Sequence, residues 1–181
     1  MKEIKYIKGD ATRPRMKAGE VAVICHCCNV FGGWGRGFVL ALRNRYPQAE
    51  SDYRSFCAPY QSSNARRNDL MGQLCLSKVR NEIYVANIIG QYFYSMNQKD
   101  IKNTAGVADQ YMPVSGRFVN YDAIRAGFRK IYEGMSSEGK RFSIHMPRMG
   151  CGLAGGDWGV IEKIIAEEFS AKGIEVMVYD L

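Results

Sequence analysis

Residues 21–38 read VAVICHCCNVFGGWGRGF, and this stretch decides the fold. Its start, Val21 to Cys25, is uniformly apolar and predicts a buried strand. Four glycines follow within residues 32–37. The next residues, Phe38 to Arg45, predict a short helix that ends at Tyr46-Pro47, because a residue before proline avoids helical geometry. A strand, a glycine-rich loop and a helix in this order are typical of an α/β protein.

Strands and helices alternate along the rest of the chain. The apolar patterns predict strands at 4–7, 74–78, 83–89, 143–146 and 175–179, and helices at 48–56, 121–135 and 158–171. Arg80-Asn81 is expected to be the turn of a hairpin, and the polar segment 94–116 is expected to be a loop, whose role the sequence leaves open although a loop of this length could act as a lid. This order predicts one domain over residues 1–181, with a central sheet covered by helices on both faces.

A second glycine-rich loop has the same position relative to its strand and helix. It reads GCGLAGG over residues 150–156, after the predicted strand at 143–146 and before the predicted helix at Trp158. Ligands of open α/β sheets lie beyond the carboxyl ends of the strands, and free N–H groups at helix N-termini attract anions. Two such loops could bind the two ends of a diphosphate, and glycines that only form tight turns are the simpler alternative.

The spacing of Gly150, Gly152 and Gly155 also satisfies the fingerprint of dinucleotide-binding proteins. Only one predicted strand follows this loop, so the units that complete a dehydrogenase have no room. We therefore interpret the match as an indication of pyrophosphate binding and not of hydride transfer.

Composition favours an anionic partner in an aqueous compartment. The formal charge is +7 and the isoelectric point about 9.1, which suits nucleic acid, nucleotide or phosphate, although a solvated basic surface is the alternative. No apolar run is long enough to cross a membrane and no signal peptide is apparent, so a cytoplasmic protein without a membrane partner is expected. The cysteines are expected to be reduced, and Cys25-His26-Cys27-Cys28 is not expected to bind metal, because successive strand residues point to opposite faces.

Five motifs spread over the whole chain add a family resemblance. They are Tyr6-Ile-Lys-Gly-Asp10-Ala11, His26-Cys-Cys-Asn29, Gly32-Gly33-Trp34-Gly35-Arg36-Gly37, Arg45-Tyr-Pro-Gln-Ala-Glu-Ser-Asp-Tyr53, and Met146-Pro-Arg-Met-Gly150-Cys151-Gly152-Leu153. Together they resemble the macrodomain family, and within it the branch of ADP-ribose 1″-phosphate phosphatases. The resemblance implies a three-layer α/β/α macrodomain with a central mixed, mostly parallel sheet.

The resemblance also implies the function and the site. The protein would bind ADP-ribose and hydrolyse ADP-ribose 1″-phosphate to ADP-ribose and phosphate, without a metal or other cofactor. Asp10 and Ala11 would contact adenine, Asn29 would bind the distal ribose, and His26 would be catalytic with Asn29. The two loops would wrap the diphosphate and distal ribose through Gly32, Gly33, Trp34, Gly35, Arg36, Gly37, Gly150, Cys151, Gly152, Leu153 and Ala154.

The chemistry of these residues leaves alternatives open. An unperturbed His26 titrates near neutral pH and could relay a proton, but a buried structural histidine at a strand end is the alternative. The family branch that removes ADP-ribose from glutamate uses a lysine and an aspartate where this chain has Gln91 and Ala154, which disfavours that activity. A non-catalytic reader of ADP-ribose, or a hydrolase of ADP-ribosyl groups on protein or nucleic acid, remains possible, with ADP-ribosylated macromolecules as partners.

Overall fold

The computed structural model describes residues 1–94, 118–152 and 155–181. Its strands are β1 (Ile4–Lys8), β2 (Val21–Asn29), β3 (Leu74–Arg80), β4 (Ile83–Gln91), β5 (Phe142–Met146) and β6 (Glu175–Asp180). Its helices are α1 (Phe38–Arg45), α2 (Pro47–Cys57), α3 (Asn64–Asn68), α4 (Tyr121–Ser137) and α5 (Trp158–Glu168), with 3₁₀ turns at Ala58–Tyr60 and Ser170–Lys172. No helix in these ranges is long and apolar enough to cross a membrane.

The strands form one six-stranded sheet in the order β1-β6-β5-β2-β4-β3. The β3–β4 pair is an antiparallel hairpin, and every other neighbouring pair is parallel. Parallel neighbours end at the same edge of the sheet. The loops that follow β2 and β5, which are adjacent strands, therefore begin side by side.

Helices cover both faces of the sheet because the side chains of β2 alternate between two cores. Val23 and Cys25 pack with the apolar side of α4 and α5, whereas Ile24 and Cys28 pack with α1 and α2. A strand buried on both faces reads as a continuous apolar run, which is the pattern of residues 21–25. The predicted three-layer α/β/α fold with a mixed, mostly parallel sheet is confirmed.

Helix α4 packs closely on the sheet at a glycine. A Cβ atom placed on Gly127 would lie 2.4 Å from Cγ2 of Ile88 in β4, so only a residue without a side chain permits this approach. The helix begins at the side chain of Asn120, which accepts a hydrogen bond from Ala123 N at 2.9 Å. Such a cap satisfies a backbone donor that has no partner within the helix.

Some predicted boundaries differ from the structure. The hairpin turn is Asn81-Glu82, one residue later than predicted, because Arg80 still pairs with Ile83. Helix α5 ends at Glu168 instead of residue 171, and a 3₁₀ turn then leads to Gly173, whose positive φ of 78° terminates the helical segment. The short helix α3, capped by Ser63, was not predicted.

Two predictions remain without a structural test. The expected loop at 94–116 falls, except for Tyr94, outside the described residues. The single domain over residues 1–181 also stays a prediction, because it includes residues 95–117 and 153–154, which lie outside the described ranges.

The edge strand β1 is fixed by a buried carboxylate. Glu175, only 4% exposed, pairs with Lys5 and with Lys17, at 2.5 Å in each case. Hydrogen bonds from these lysines lower the pKa of Glu175 to about 2. The carboxylate thus links β1, β6 and the segment that leads into β2.

Candidate functional site

The two glycine loops line one cleft at the carboxyl edge of the parallel strands. The cleft has a volume of about 810 Å³, which is within the range of roughly 300–1,000 Å³ found for small-molecule sites. β2 contributes the side chains from His26 to Asn29, and β4 contributes Gln91. The remaining described lining residues are Gly33, Trp34, Gly35, Arg36, Gly37, Phe38, Val39, Arg54, Tyr94, Pro147, Arg148, Met149, Gly150 and Gly152.

Asn29 organises the first loop. Its Oδ1 accepts hydrogen bonds from the backbone N–H groups of Phe31 at 2.9 Å and Gly33 at 3.0 Å, and its Nδ2 donates to Gly33 O at 3.0 Å. The hydroxyl of Tyr53 donates to the carbonyl of Asn29 at 2.5 Å. Asn29 is 4% exposed, so this residue first supports the loop, and the second N–H of its amide is the donor left for a ligand.

Trp34 fills the inside of the first loop. It is 3% exposed, its Nε1 donates to Val39 O at 2.8 Å, and its ring meets that of His26 edge to face, with centroids 5.1 Å apart. Arg43 donates to Trp34 O at 2.7 Å and also pairs with Glu50. The loop is therefore anchored to α1 and α2, while Gly35 and Gly37 face the cleft as bare backbone.

Close backbone packing holds the second loop. Gly156 N donates to Gly150 O at 2.8 Å, and a Cβ atom on Gly156 would lie 2.4 Å from that same oxygen. Gly150 has a positive φ of 74°, a conformation that favours glycine. The glycines at 150 and 156 are therefore required by the shape of the loop itself, whereas a Cβ on Gly152 would meet nothing within 4 Å.

His26 is a buried neutral histidine. Its Nε2 lies 2.6 Å from Asn87 Oδ1, and since the amide nitrogen of Asn87 donates to Ala49 O at 3.3 Å, Nε2 carries the proton of the neutral ring. Burial lowers the pKa of His26 to about 4, against the opposing effect of the Asn87 hydrogen bond. The sequence left two alternatives open, a His26 that titrates near neutral pH and a buried histidine at a strand end, and the structure buries the ring, because β2 carries His26 into the layer between the sheet and α2.

In the described part of the cleft lining, the charged side chains are all basic. Arg36, Arg54 and Arg148 are lining residues, and no carboxylate is among the described ones. Arg54 pairs with Glu50 at 2.9 Å, and Arg148 pairs with Asp180 at 2.8 Å. A concave surface with cationic groups and bare backbone favours an anionic ligand.

The structure brings most of the predicted site residues together. His26, Asn29, Gly33, Trp34, Gly35, Arg36, Gly37, Gly150 and Gly152 line the cleft. Gly32 and Cys151 flank it, and the Cys151 thiol, whose pKa is raised by burial, bonds to Met149 O at 3.4 Å. Leu153 and Ala154 lie outside the described residues.

Asp10 and Ala11 are not among the residues that line this cleft. Asp10 lines a second, shallower cleft of about 420 Å³ together with Thr12, Arg45 and Arg80. Its Oδ1 accepts hydrogen bonds from the backbone N–H of Thr12 at 2.8 Å and from the Thr12 hydroxyl at 2.7 Å. Ala11 is buried beside Tyr179. Their contact with adenine stays a prediction.

Several lining residues were not predicted from the sequence. Phe38, Val39 and Arg54 belong to α1 and α2, Tyr94 follows β4, and Arg148 lies between β5 and the second loop. The arginine in Met146-Pro-Arg-Met was visible beside the second loop, and its charge was the signal that could have indicated it. Within residues 1–94, 118–152 and 155–181, no three His, Cys, Asp or Glu side chains converge as metal ligands would.

Known proteins share this architecture over the full chain. Comparison with models of protein families finds no match. A solved macrodomain protein from Streptomyces coelicolor is 34% identical, with 99% of each chain covered and a TM-score of 0.73. A solved protein of unknown function from Bacteroides thetaiotaomicron is 38% identical, with 99% of each chain covered and a TM-score of 0.79.

Two curated relatives differ in length. An ADP-ribose 1″-phosphate phosphatase of Saccharomyces cerevisiae is 26% identical over 188 residues, with 100% of both chains covered. The chromodomain-helicase-DNA-binding protein 1-like of Danio rerio is 28% identical over 182 residues, which cover 97% of this chain. The chain spans only 15% of that second relative.

The layers, the sheet order and the position of the cleft define a three-layer α/β/α protein with its cleft at a carboxyl edge. Together with the full-length likeness to the Streptomyces protein, they place the chain in a family. It belongs to the macrodomain family.

Proposed function

We propose that this macrodomain binds ADP-ribose in the cleft and hydrolyses ADP-ribose 1″-phosphate to ADP-ribose and inorganic phosphate. One observation carries the proposal: both glycine loops line a single cleft whose charged lining is entirely basic in the described part of the chain. The full-length phosphatase relative from Saccharomyces cerevisiae supports the choice of substrate.

The proposed contacts with the ligand come from the two glycine loops, the end of β2 and the residues after β1. The backbone of Gly32 to Gly37 and of Gly150 to Ala154 would hold the diphosphate and distal ribose, and Asn29 would donate its remaining amide hydrogen to that ribose. Asp10 and Ala11 would hold the adenine. Free N–H groups in tight glycine turns suit phosphate oxygens because no Cβ atom blocks their approach.

Hydrolysis of the phosphomonoester requires positioning and charge stabilisation from the protein more than covalent chemistry. The oxygen of a water attacks phosphorus, the bond between phosphorus and the 1″ oxygen breaks, and a proton from the water ends on that leaving oxygen. We assign His26 the role of orienting this water in its neutral form, with the lone pair on Nδ1, because Nε2–H is committed to Asn87. The backbone amides and arginines would stabilise the charge on the phosphoryl oxygens.

A second candidate is a reader that binds ADP-ribose without chemistry. Two observations favour it: the pKa of His26 is lowered to about 4, and the described lining contains no carboxylate. A weak base and no acid are a poor set for proton transfer at neutral pH.

One assay separates the candidates. Phosphate release from ADP-ribose 1″-phosphate is measured beside calorimetric titration with ADP-ribose, and an ADP-ribosylated protein is tested as a further substrate. Phosphate release with tight ADP-ribose binding supports the phosphatase, whereas binding without phosphate over long incubation supports the reader. Absence of both heat and product would refute ADP-ribose recognition.

Two substitutions at His26 test its role. His26→Ala is expected to lower kcat by about 10²-fold or more. The matched variant His26→Gln keeps an N–H donor for Asn87 but has no acceptor at the position of Nδ1 to orient the water. A kcat that stays low in His26→Gln with unchanged KM supports a role in the reaction; full recovery would make His26 a structural residue.

A further inference from the structure

The strongest unassigned group at the cleft is Arg148, the residue two positions before the second glycine loop. It lines the cleft and is 44% exposed, so ligand and solvent can both reach it. Neither the sequence motifs nor the proposed function assigns it an individual role.

The guanidinium of Arg148 is held in one orientation. Its Nε donates to Asp180 Oδ1 at 2.8 Å and its Nη2 to Asp180 Oδ2 at 3.0 Å. This two-bond arrangement fixes both the position and the plane of the group. Nη1 then carries two further N–H donors that the carboxylate does not use.

Two aromatic rings pack against the same guanidinium. Its central carbon lies 4.9 Å from the centroid of Tyr6 and 5.5 Å from that of Trp158. Trp158 Nε1 donates to the Tyr6 hydroxyl at 2.9 Å, and that hydroxyl donates to Glu162. The rings come from β1 and α5, so two separate elements hold the side chain of Arg148 in place. Such a construction costs side-chain entropy that a solvated surface arginine does not lose.

The sheet order indicates which part of a bound ADP-ribose would lie near Arg148. Asp180 ends β6, which lies between β1 and β5. The proposed adenine contacts follow β1 and the proposed reaction centre ends β2, on the other side of β5. By strand order, Arg148 lies between the proposed contacts with the two ends of the ligand, where the diphosphate would be.

We infer that Arg148 binds the diphosphate of the ligand through Nη1, and that Asp180 is the residue that positions it; this inference rests on the proposed function. Arginine suits the task because its planar group can bind a carboxylate on one edge and phosphate oxygens on the other. Arg148 therefore adds a side-chain contact to the backbone contacts of the two loops.

Calorimetric titration with ADP-ribose, and the KM for ADP-ribose 1″-phosphate in the phosphate-release assay, test this. Arg148→Gln is expected to weaken both ligands by the same factor, about 10-fold or more. Arg148→Lys keeps the charge but is expected to recover only part of the affinity, since an ammonium cannot form the same two-sided contact. A loss confined to the 1″-phosphate would overturn the assignment to the diphosphate.

Asp180→Asn tests whether Asp180 acts by positioning Arg148 or through its own negative charge. Long-range attraction alone predicts tighter ADP-ribose binding in this variant, because a negative charge near the cleft is removed. Positioning predicts weaker binding, because Arg148 loses its partner. Tighter or unchanged binding would overturn the positioning role of Asp180.

The control is Lys163→Gln, which removes one positive charge from the exposed face of α5 at a residue outside the cleft lining. It is expected to bind both ligands as the wild type does. Wild-type affinity in Arg148→Gln would overturn the inference and leave the proposed function intact. Absence of ADP-ribose binding by the wild type would instead refute the proposed function.

Discussion

At the scale of the residue, His26 shows how a partner from another element fixes a protonation state. Asn87 in β4 lies directly across from His26 in the pairing with β2. Its amide oxygen accepts the Nε2 proton at 2.6 Å. Burial disfavours the charged ring, and a neutral amide cannot offset that effect as a carboxylate would.

Replacing this partner by a carboxylate should reverse the effect. In the wild type, the ring nitrogen shifts of His26 are expected to stay constant from pH 8 to about 5.5, because the pKa is about 4. Asn87→Asp is expected to raise the His26 pKa by about 1 to 3, since a nearby negative charge stabilises the imidazolium. Nitrogen-15 NMR of the imidazoles follows the protonation of His26 in the wild type and in Asn87→Asp, with His145 as the internal reference. A wild-type His26 that titrates near pH 6.5 in the folded protein would contradict the structure.

At the residue scale, the sequence predicted local features of the site but not contacts between residues that are distant along the chain. The placement of Asn29 and the glycines in a loop after a strand followed from local order along the chain. The partner of His26 is 61 residues away, and no local pattern carries such a pairing. The charge of Arg148 beside the second loop was visible in the sequence, but its ion pair with Asp180, which lies 32 residues further along the chain, was not.

At the scale of the element, α4 contains two glycines in opposite environments. A Cβ atom on Gly127 would lie 2.4 Å from Ile88 Cγ2, whereas one on Gly134 would meet nothing within 4 Å. Both positions lie inside the same helix, so the same substitution compares packing with helix propensity.

Gly127→Ala is expected to destabilise the protein by about 1–3 kcal/mol, because the added methyl must move the helix away from β4. Gly134→Ala is expected to stabilise it by roughly 0.5–1 kcal/mol, because alanine loses less backbone freedom on folding. Urea unfolding measures both free energies. Equal effects of the two substitutions would mean that α4 does not approach the sheet as described.

Elements with a long apolar stripe were predictable, and short polar ones were not. Helix α4 repeats apolar residues at helical spacing and strand β2 begins with a continuous apolar run, so the sequence predicted both. Helix α3 has five residues, Asn64–Asn68, none of them buried. It forms because Ser63 caps its first turn, and a capped turn of this length has too few residues for a periodic signal.

At the scale of the whole molecule, buried groups with lowered pKa values make the fold sensitive to acid, among them the three considered next, His26, His145 and Glu175. Burial lowers the pKa of His26 and of His145 to about 4 in each case, below the ordinary value of about 6.5. Hydrogen bonds from lysine lower that of Glu175 to about 2. In all three cases the unfolded chain binds protons at a higher pH than the folded protein does.

The melting temperature is therefore expected to fall on acidification in two stages. Between about pH 6.5 and 4 the unfolded state gains protons on both histidines, and each costs the folded state up to about 3 kcal/mol. Below about pH 4.5 the stability contributed by Glu175 is lost as pH falls towards 2. We expect a decrease of roughly 10 °C or more from pH 7 to pH 4, measured by calorimetry.

Glu175→Gln is the matched control for these two stages. Because it removes only the carboxylate, the decrease between pH 6.5 and 4.5 is expected to persist, and the steeper decrease below that range is expected to weaken. A melting temperature independent of pH between 7 and 4 would contradict the burial of both histidines.

The two glycine loops lie side by side because of the sheet order, which is set by the fold of the whole chain. Strand–loop–helix order predicted that each loop lies at a carboxyl edge. It did not predict that β5 lies beside β2, because β3, β4 and α4 separate them along the chain. The resemblance to a family implied that contact.

The first loop, held by Asn29 and by the hydroxyl of Tyr53, has a thermodynamic consequence for recognition. Its amide groups lose their conformational freedom when the chain folds, so an arriving ligand does not have to order them again. Preorganised donors also need no reorientation as charge develops during a reaction. The entropic cost of recognition is thus borne largely by folding, and tight association can follow from few contacts.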